Sequence, residues 1–309
     1  MRALPTLRQM SYLIALYEER HFTKAAQACF ISQSALSTSI QELETLLDVA
    51  LIDRAGRKVI FTPVGEEVVK RSRKILASSE ELVDLAQILS APLSGIVRLG
   101  VIPTIAPWLL PQAMPKIYEA FPNVKIHLTE LQTDKVLSEL ESGNIDLGLI
   151  ALPWDIKGFE NEVIGAENMV VACGKDHKWG NTNTLTLDDI TGEEMILLES
   201  GHCLKDHALS ACNQLHQPEQ RLQATGVATL LQMVAWQPSA TLLPQIAVPF
   251  ETSAHSQLHF AALNDVPPLR ELTTVWRSGS VRRKDWLLLS TVLKSTLETI
   301  LMQAKKMRT

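Results

Sequence analysis

The chain has 309 residues, of which 46% are hydrophobic and 20% charged, as in an ordinary globular protein of two or three domains. No stretch approaches the ~20 apolar residues of a membrane span, and Pro5, Arg8 and Gln9 break up any secretory signal at the start, so a cytoplasmic protein without a membrane partner is expected. The net charge of −5 does not advertise nucleic-acid binding, yet it is unevenly spread. Residues 1–90 carry 11 Lys+Arg against 11 Asp+Glu, leaving 18 against 23 for the remainder, so a DNA-binding head is not excluded.

From the amino terminus, Leu7–Glu19 carries an amphipathic helical pattern. A second, short helix is expected from Thr23, a good N-cap type, through Ala25, Ala26 and Ala28 to Cys29. Phe30–Ile31 reads as a turn. A third helix spans Ser32–Leu47, with Ser32 able to cap it and Leu36, Ile40, Leu43 and Leu47 at core-facing spacing. Leu51–Phe61 then reads as a small hairpin with Gly56-Arg57-Lys58 at its tip. Helix, helix, tight turn, helix and β-wing outline a winged helix-turn-helix over residues 1–62.

Thr62 as N-cap and Pro63 at the first position open one long helix, the linker of residues 63–92. Val68, Ile75, Leu82 and Leu89 recur at heptad spacing among Ser72, Ser79 and Ala86, a seam that suits dimerisation. The alternative is a stripe packed on its own domain. Ala91-Pro92-Leu93-Ser94-Gly95 reads as a hinge. Strands and helices then alternate: strand Ile96–Ile102, helix Thr104–Glu119, strand Lys125–Leu131, helix Thr133–Ser142 and strand Ile145–Leu152. After Ile164 the pattern resumes with Met169–Cys173, Met195–Leu198, Leu222–Ala224 and Leu272–Trp276, closing on a helix over Arg283–Lys306. Repeated βα units imply a parallel or mixed sheet covered by helices. The length of 93–309 favours two α/β lobes with a cleft, lobe I about 93–166 and 272–309 and lobe II about 167–271.

Four cysteines, Cys29, Cys173, Cys203 and Cys212, are too few and scattered for a disulfide framework. Cys29 falls among core positions and Cys173 in an apolar strand, where buried thiols are expected. Cys203 and Cys212 are nine positions apart in a segment that reads as helical. Nine helical residues would separate the pair by ~13.5 Å and set them on opposite faces, whereas a disulfide needs Cα atoms about 4.4–6.8 Å apart. Reduced helix and oxidised bond would exclude each other, which is what a redox switch requires. The chain contains no Walker loop, G-x-G-x-x-G, H-E-x-x-H or G-x-S-x-G, and no cofactor is expected.

His21-Phe22-Thr23-Lys24-Ala25-Ala26, Ser32-Gln33-Ser34-Ala35-Leu36-Ser37, Leu43-Glu44 and Phe61-Thr62-Pro63-Val64-Gly65 resemble the DNA-binding head of LysR-type transcription regulators. Val101-Ile102-Pro103-Thr104, the run Glu199–Asp206 and Thr241-Leu242-Leu243-Pro244 resemble the peroxide-sensing branch of that family. The resemblance implies an α/β multidomain fold: a winged helix-turn-helix, a dimerising linker helix and a two-lobed regulatory domain like periplasmic binding proteins, assembled as homodimers and homotetramers on a double-stranded DNA operator. It also implies contact with RNA polymerase and resetting by a glutaredoxin- or thioredoxin-like thiol reductant. Ser32, Gln33, Ser34, Ser37 and Thr38 would then enter the major groove, Gln33 able to pair with adenine, while Arg54, Arg57 and Lys58 reach phosphates from the wing. Cys203 would be the peroxide-reactive thiolate, favoured by a helix N-terminus, and Cys212 its resolving partner. Thr104, Thr133, His202, Asp206 and Arg270 match the positions that line the family's hydrogen peroxide pocket. For Thr104 and Thr133 simple N-capping is the competing explanation, and for Arg270 a surface ion pair.

Three other readings compete. A small metabolite could bind between the lobes, with the cysteines incidental. Cys203 with His207, and Cys212 with His216, could ligate a metal at i, i+4 spacing. A thiol peroxidase is the third, but a DNA-binding head argues for a regulator rather than an enzyme. Two departures from the family pattern stand out: Asp48 where Gly is expected after the third helix, and Trp236-Gln237-Pro238-Ser239-Ala240 ahead of the Thr-Leu-Leu-Pro run, where Trp236 and Pro238 should fill and stiffen a loop.

Overall fold

The computed structural model describes residues 3–53, 59–88, 92–190, 195–198, 223–224, 226–254, 256–263 and 270–306. They form two compact units, Met1–Gln87 with Glu141–Asn144, and Ile88–Leu140 with Ile145–Thr309.

The first unit opens with α1 (Leu7–Glu19), whose first turn is closed by a capping box: Thr6 Oγ1 accepts from the Gln9 N–H while Gln9 Oε1 accepts from the Thr6 N–H. Arg20 turns left-handed and ends α1, leaving His21 as the first extended residue. His21 therefore caps α2 (Phe22–Ala28) through Nδ1, at 3.2 Å from the Thr23 N–H, and Thr23 falls inside the helix rather than at its cap. Ser32 caps α3 (Gln33–Leu47) by accepting from the Ala35 N–H, and Asp48 ends it with φ 56° in the left-handed role usually given to glycine. Leu36, Ile40 and Leu43 are buried against Leu13, Leu16, Ala25 and Ala26, and Leu47 packs on the same cluster.

Glu44 Oε1 accepts from the N–H groups of Leu51 and Ile52, which fixes where the short antiparallel pair β1 (Ile52–Asp53) and β2 (Ile60–Phe61) leaves α3. The helix α4 (Pro63–Ile88) starts as expected, with Thr62 Oγ1 accepting from the Gly65 N–H at 3.0 Å. Gly65 lies against the Leu51 carbonyl, where no Cβ would fit, so the Thr-Pro-x-Gly run is a packing requirement. The helix stripe divides. Val68 packs on the head core with buried Val69 and Ser72, whereas Ile75 and Leu82 remain exposed.

The second unit contains two main sheets. The larger has order β4-β3-β5-β13-β6, made of β3 (Gly95–Val101), β4 (Val124–Glu130), β5 (Leu147–Leu152), β6 (Phe159–Glu167) and β13 (Arg270–Arg277). β3 runs parallel to β4 and β5, and β13 is antiparallel to both β5 and β6. Helices α5 (Ala106–Ala120) and α6 (Thr133–Ser142) follow β3 and β4 as crossovers. The sequence pattern did not disclose β6, whose half-buried Glu160 and exposed Asn161 and Glu162 dilute its apolar character.

The smaller sheet, order β11-β7-β12-β8, is built from β7 (Met169–Gly174), β8 (Thr184–Leu185), β11 (Ala240–Pro244) and β12 (Leu258–Leu263). Between β8 and β11 lie α7 (Leu187–Ile190), the parallel pair β9 (Leu197–Leu198) and β10 (Gln223–Ala224), and α8 (Val227–Trp236). A 3-10 turn at Gln245–Ala247 leads into α9 (Val248–Ala254), and α10 (Arg283–Lys306) closes the chain. Each sheet has its own core, one around Leu99, Leu149, Trp276 and Leu293, the other around Val170, Val171, Leu230 and Leu242. A fully buried side chain of this kind contributes about 1.5–3 kcal/mol. Trp236 is 76% exposed at the end of α8, so it does not fill the loop that follows.

The segment read as a hinge is fastened at its far end. Leu93 is buried with φ 48°, and its N–H donates to Asp285 Oδ1 at 3.0 Å. Arg282 donates from Nε to Asp285 and from its two terminal nitrogens to the Ile96 and Ser94 carbonyls.

Candidate functional site

On the head, the residues expected to read DNA lie where the first turn of α3 leaves them open. Ser32, Gln33, Ser34 and Thr38 are exposed and Ser37 is half-buried. They are not equally available. Ser32 is committed to its cap and also lies 3.0 Å from Ser34 Oγ, while Gln33 Oε1 accepts from Thr23 Oγ1 at 2.9 Å. That bond ties the carbonyl end of Gln33 to α2 and orients the amide before any base is met. Arg54, Arg57 and Lys58 lie outside the described residues.

In the regulatory unit, topology gathers the other candidates on one edge of the larger sheet. Thr104 lies three residues beyond the end of β3, and Thr133 three beyond the end of β4; these strands pair as far as Val101 and Glu130, and the Leu131 N–H still reaches the Val101 carbonyl. β13 starts at this same edge with Arg270, directly opposite Glu167 at the end of β6. Crevices outside the carboxyl ends of parallel strands are the usual ligand sites of open α/β sheets.

Arg270 is wholly buried and not a surface ion pair. Its Nε and Nη2 donate to Glu167 Oε1 at 2.9 and 2.7 Å, Nη1 to Thr104 Oγ1 at 3.0 Å, and Nη2 also to the Thr104 carbonyl at 2.9 Å. Glu167, equally buried, accepts through its second oxygen from the Ile246 N–H at 2.7 Å, so one carboxylate joins the larger sheet to the 3-10 turn after β11. Burying two charges is tolerated only with such complete pairing.

The two threonines are left with spare chemistry. A hydroxyl offers one donor and two acceptor positions; Thr104 accepts from Arg270, which leaves its O–H to donate. Thr104 does not cap α5, whose N-cap is Ile105 without any side-chain bond. Thr133 is the first residue of α6, is buried, and its hydroxyl has no hydrogen-bond partner among the described residues. Capping explains neither. A buried, unsatisfied hydroxyl is costly and rare in the absence of a ligand or water. Glu167 was missed in the sequence, where it is one acidic residue ahead of an apolar strand; only the cross-strand register exposes its role.

Of the four cysteines, the two described are unsuited to peroxide chemistry. Burial pushes the Cys173 thiol up to about 11, and burial also raises that of Cys29, which ends α2 half-buried rather than in the core. Both stay protonated at neutral pH, and the thiolate is the reactive form. His202, Cys203, Asp206 and Cys212, with the His207 and His216 of the metal reading, lie outside the described residues. Among the described residues no cluster of His, Cys, Asp and Glu could hold a metal, and no helix is long and apolar enough to cross a membrane.

Comparison with known proteins bears on both parts of the chain. Residues 7–66 match the family of bacterial regulatory helix-turn-helix proteins of the LysR type, and residues 90–297 match the LysR substrate binding domain. The HTH-type transcriptional regulator EstR of Acinetobacter baylyi is 39% identical over 309 residues, covering 97% of this chain and 100% of that one. A hydrogen peroxide-inducible genes activator of Dickeya chrysanthemi is 37% identical over 278 residues, 90% of this chain and 91% of that one. Among solved structures, a cysteine-to-serine mutant of Corynebacterium glutamicum OxyR in its H2O2-bound form superimposes with a TM-score of 0.67 at 30% identity, covering 99% of this chain and 97% of that chain. With head and regulatory unit both matched, and relatives aligned along nearly all of its length, this chain belongs to the LysR family of DNA-binding bacterial transcription regulators.

Proposed function

We propose that this regulator senses hydrogen peroxide through Cys203 and signals by forming a disulfide with Cys212. The observation that carries the reading is the carboxyl edge of the larger sheet, where Thr104 keeps a hydroxyl proton to donate and the buried Thr133 hydroxyl has no partner among the described residues. Two such groups suit a small neutral molecule with a donor and an acceptor on each of two oxygens. Support also comes from the Dickeya relative, a hydrogen peroxide-inducible activator, and from the Corynebacterium structure with peroxide bound.

In this scheme the Cys203 thiolate attacks one peroxide oxygen, giving a sulfenic acid and releasing hydroxide, which takes up a proton to become water. The Cys212 thiol then displaces the sulfenic oxygen as a second water, forming the disulfide. Arg270 orients Thr104, and His202 and Asp206 complete the pocket. A helix between the cysteines cannot survive the bond, so the regulatory unit repacks and the spacing of DNA contacts changes. Exposed Ile75 and Leu82 on α4 serve a homodimer seam, and pairs of dimers form the homotetramer on the operator. The protein acts in the cytoplasm, with RNA polymerase and a glutaredoxin- or thioredoxin-like reductant as further partners.

The test is peptide mapping of differentially alkylated protein before and after equimolar peroxide. A rapid Cys203–Cys212 disulfide, reversed by thiol reductant and absent in Cys203→Ser, is the expected result; persistent free thiols would remove the pair as sensor. A second reading is favoured by EstR, which exceeds the Dickeya activator in identity and carries no peroxide in its name. A small metabolite would then occupy the same edge and raise the melting temperature, with no response to peroxide.

A further inference from the structure

The turn between α2 and α3 presents a side chain that its own fold does not use. Phe30 is 96% exposed, and its backbone is left-handed at φ 55°. Glycine and asparagine are the usual residents of such a position, because a side chain with a bulky Cβ substituent is strained there. The turn does not need the ring. Its geometry is set by the Phe30 N–H donating to the Gln27 carbonyl at 3.1 Å and the Ile31 N–H to the Ala26 carbonyl at 3.0 Å. Ile31, the next residue, supplies the apolar anchor by packing on the head core. A large apolar ring is thus held in water, on strained backbone, where a smaller polar residue would fold more easily.

Its place in the chain identifies what it can meet. Phe30 stands two residues before the Ser32 cap and beside the exposed first turn of α3, with Gln33 and Ser34 next in line. In a helix-turn-helix this turn of the second helix enters the major groove. The base edges there are polar except for one group, the C5-methyl of thymine, and phenylalanine is one of the side chains that packs on it. We propose that Phe30 is a base-reading residue, its ring covering a thymine methyl beside the base met by Gln33. The inference rests on the DNA-binding head alone and is independent of the peroxide reading.

The test starts from a random duplex pool enriched on the full-length protein, once under thiol reductant and once after peroxide. Each thymine of the enriched duplex is then replaced singly by deoxyuridine, which removes only the methyl, and affinities are measured at fixed salt. One position per half-site is expected to weaken the unsubstituted protein about fivefold. Phe30→Asn should bind the thymine duplex about fivefold less tightly and be indifferent to thymine or uracil at that position, the non-additivity that marks a direct contact. Phe30→Leu should keep most of the preference. Because asparagine accepts left-handed backbone, Phe30→Asn should melt no lower than the unsubstituted protein. The assignment is overturned if no sequence is enriched, if no thymine is sensitive, or if Phe30→Asn binds normally or keeps the preference. A change of oligomeric state in Phe30→Asn would equally place the ring in a protein interface and overturn it.

Discussion

Two arginines are buried at opposite edges of the same five-stranded sheet, and they are spent differently. Arg282, at the edge where β3 begins, has an acidic partner three residues away and uses its remaining donors on the carbonyls of Ser94 and Ile96. With Asp285 holding the Leu93 N–H, that cluster is closed: each charged group is matched by a group of the protein, and the result is a fastened chain end. Arg270, at the edge where β3 finishes, is paired with Glu167 and also donates to Thr104, whose O–H is left to donate, and at the same edge the Thr133 hydroxyl has no hydrogen-bond partner among the described residues. Buried ion pairs by themselves are weak evidence of function. The unsatisfied hydroxyl at that edge, rather than the ion pair, is what makes it the candidate binding edge.

The largest effects should come from breaking either pair. Asp285→Ala and Glu167→Ala each leave a buried arginine uncompensated and should cost about 3–5 kcal/mol in chemical denaturation. The two should differ in response: Glu167→Gln is expected to slow peroxide-driven formation of the Cys203–Cys212 disulfide about tenfold by misplacing Arg270 and Thr104, while Asp285→Asn leaves its rate unchanged. Equal slowing in both variants would erase the distinction between the edges.

Thr104→Val sharpens it further. Losing the acceptor for Arg270 Nη1 should cost about 1–3 kcal/mol and slow the same oxidation, both readable on one preparation. Thr133→Val is the more telling change, because its hydroxyl bonds to no group among the described residues. Its stability should be unchanged or about 1 kcal/mol higher, yet oxidation should slow; a variant that is destabilised and oxidises normally would make Thr133 a structural residue.

The smallest effect belongs to the neighbouring four-stranded sheet, where Cys173 is buried without polar chemistry. Its thiol rises from 9.0 to about 11, so the folded chain keeps a proton that the unfolded chain releases. Stability contributed this way is whole below pH 9 and is lost as pH rises toward about 11. Urea midpoints at pH 8 and 10 should therefore fall more for the unsubstituted protein than for Cys173→Ala.

Much of the head was legible in the chain because its signals are local. Ser32 and Thr62 cap within three residues, Leu36, Ile40 and Leu43 repeat on one helix face, and Asp48 takes a left-handed end as glycine would. Even there one cap was misassigned to Thr23, since what fixes the start of α2 is the left-handed end of α1 at Arg20. The heptad stripe was visible too, but not its division between a packed Val68 and an exposed Leu82, which depends on where the head core ends.

The sequence by itself determined the family and the order of helices and strands in the head, and it named Thr104, Thr133 and Arg270 as candidates, because motifs, caps and periodicities are relations among residues a few positions apart. Only the tertiary structure decided that Glu167 faces Arg270 across 103 residues, that Arg270 is buried rather than solvated, and that the Thr133 hydroxyl has no partner among the described residues. Those facts follow from the antiparallel register of β6 on β13 and the shared edge of β3 and β4, relations that no local stretch of chain encodes.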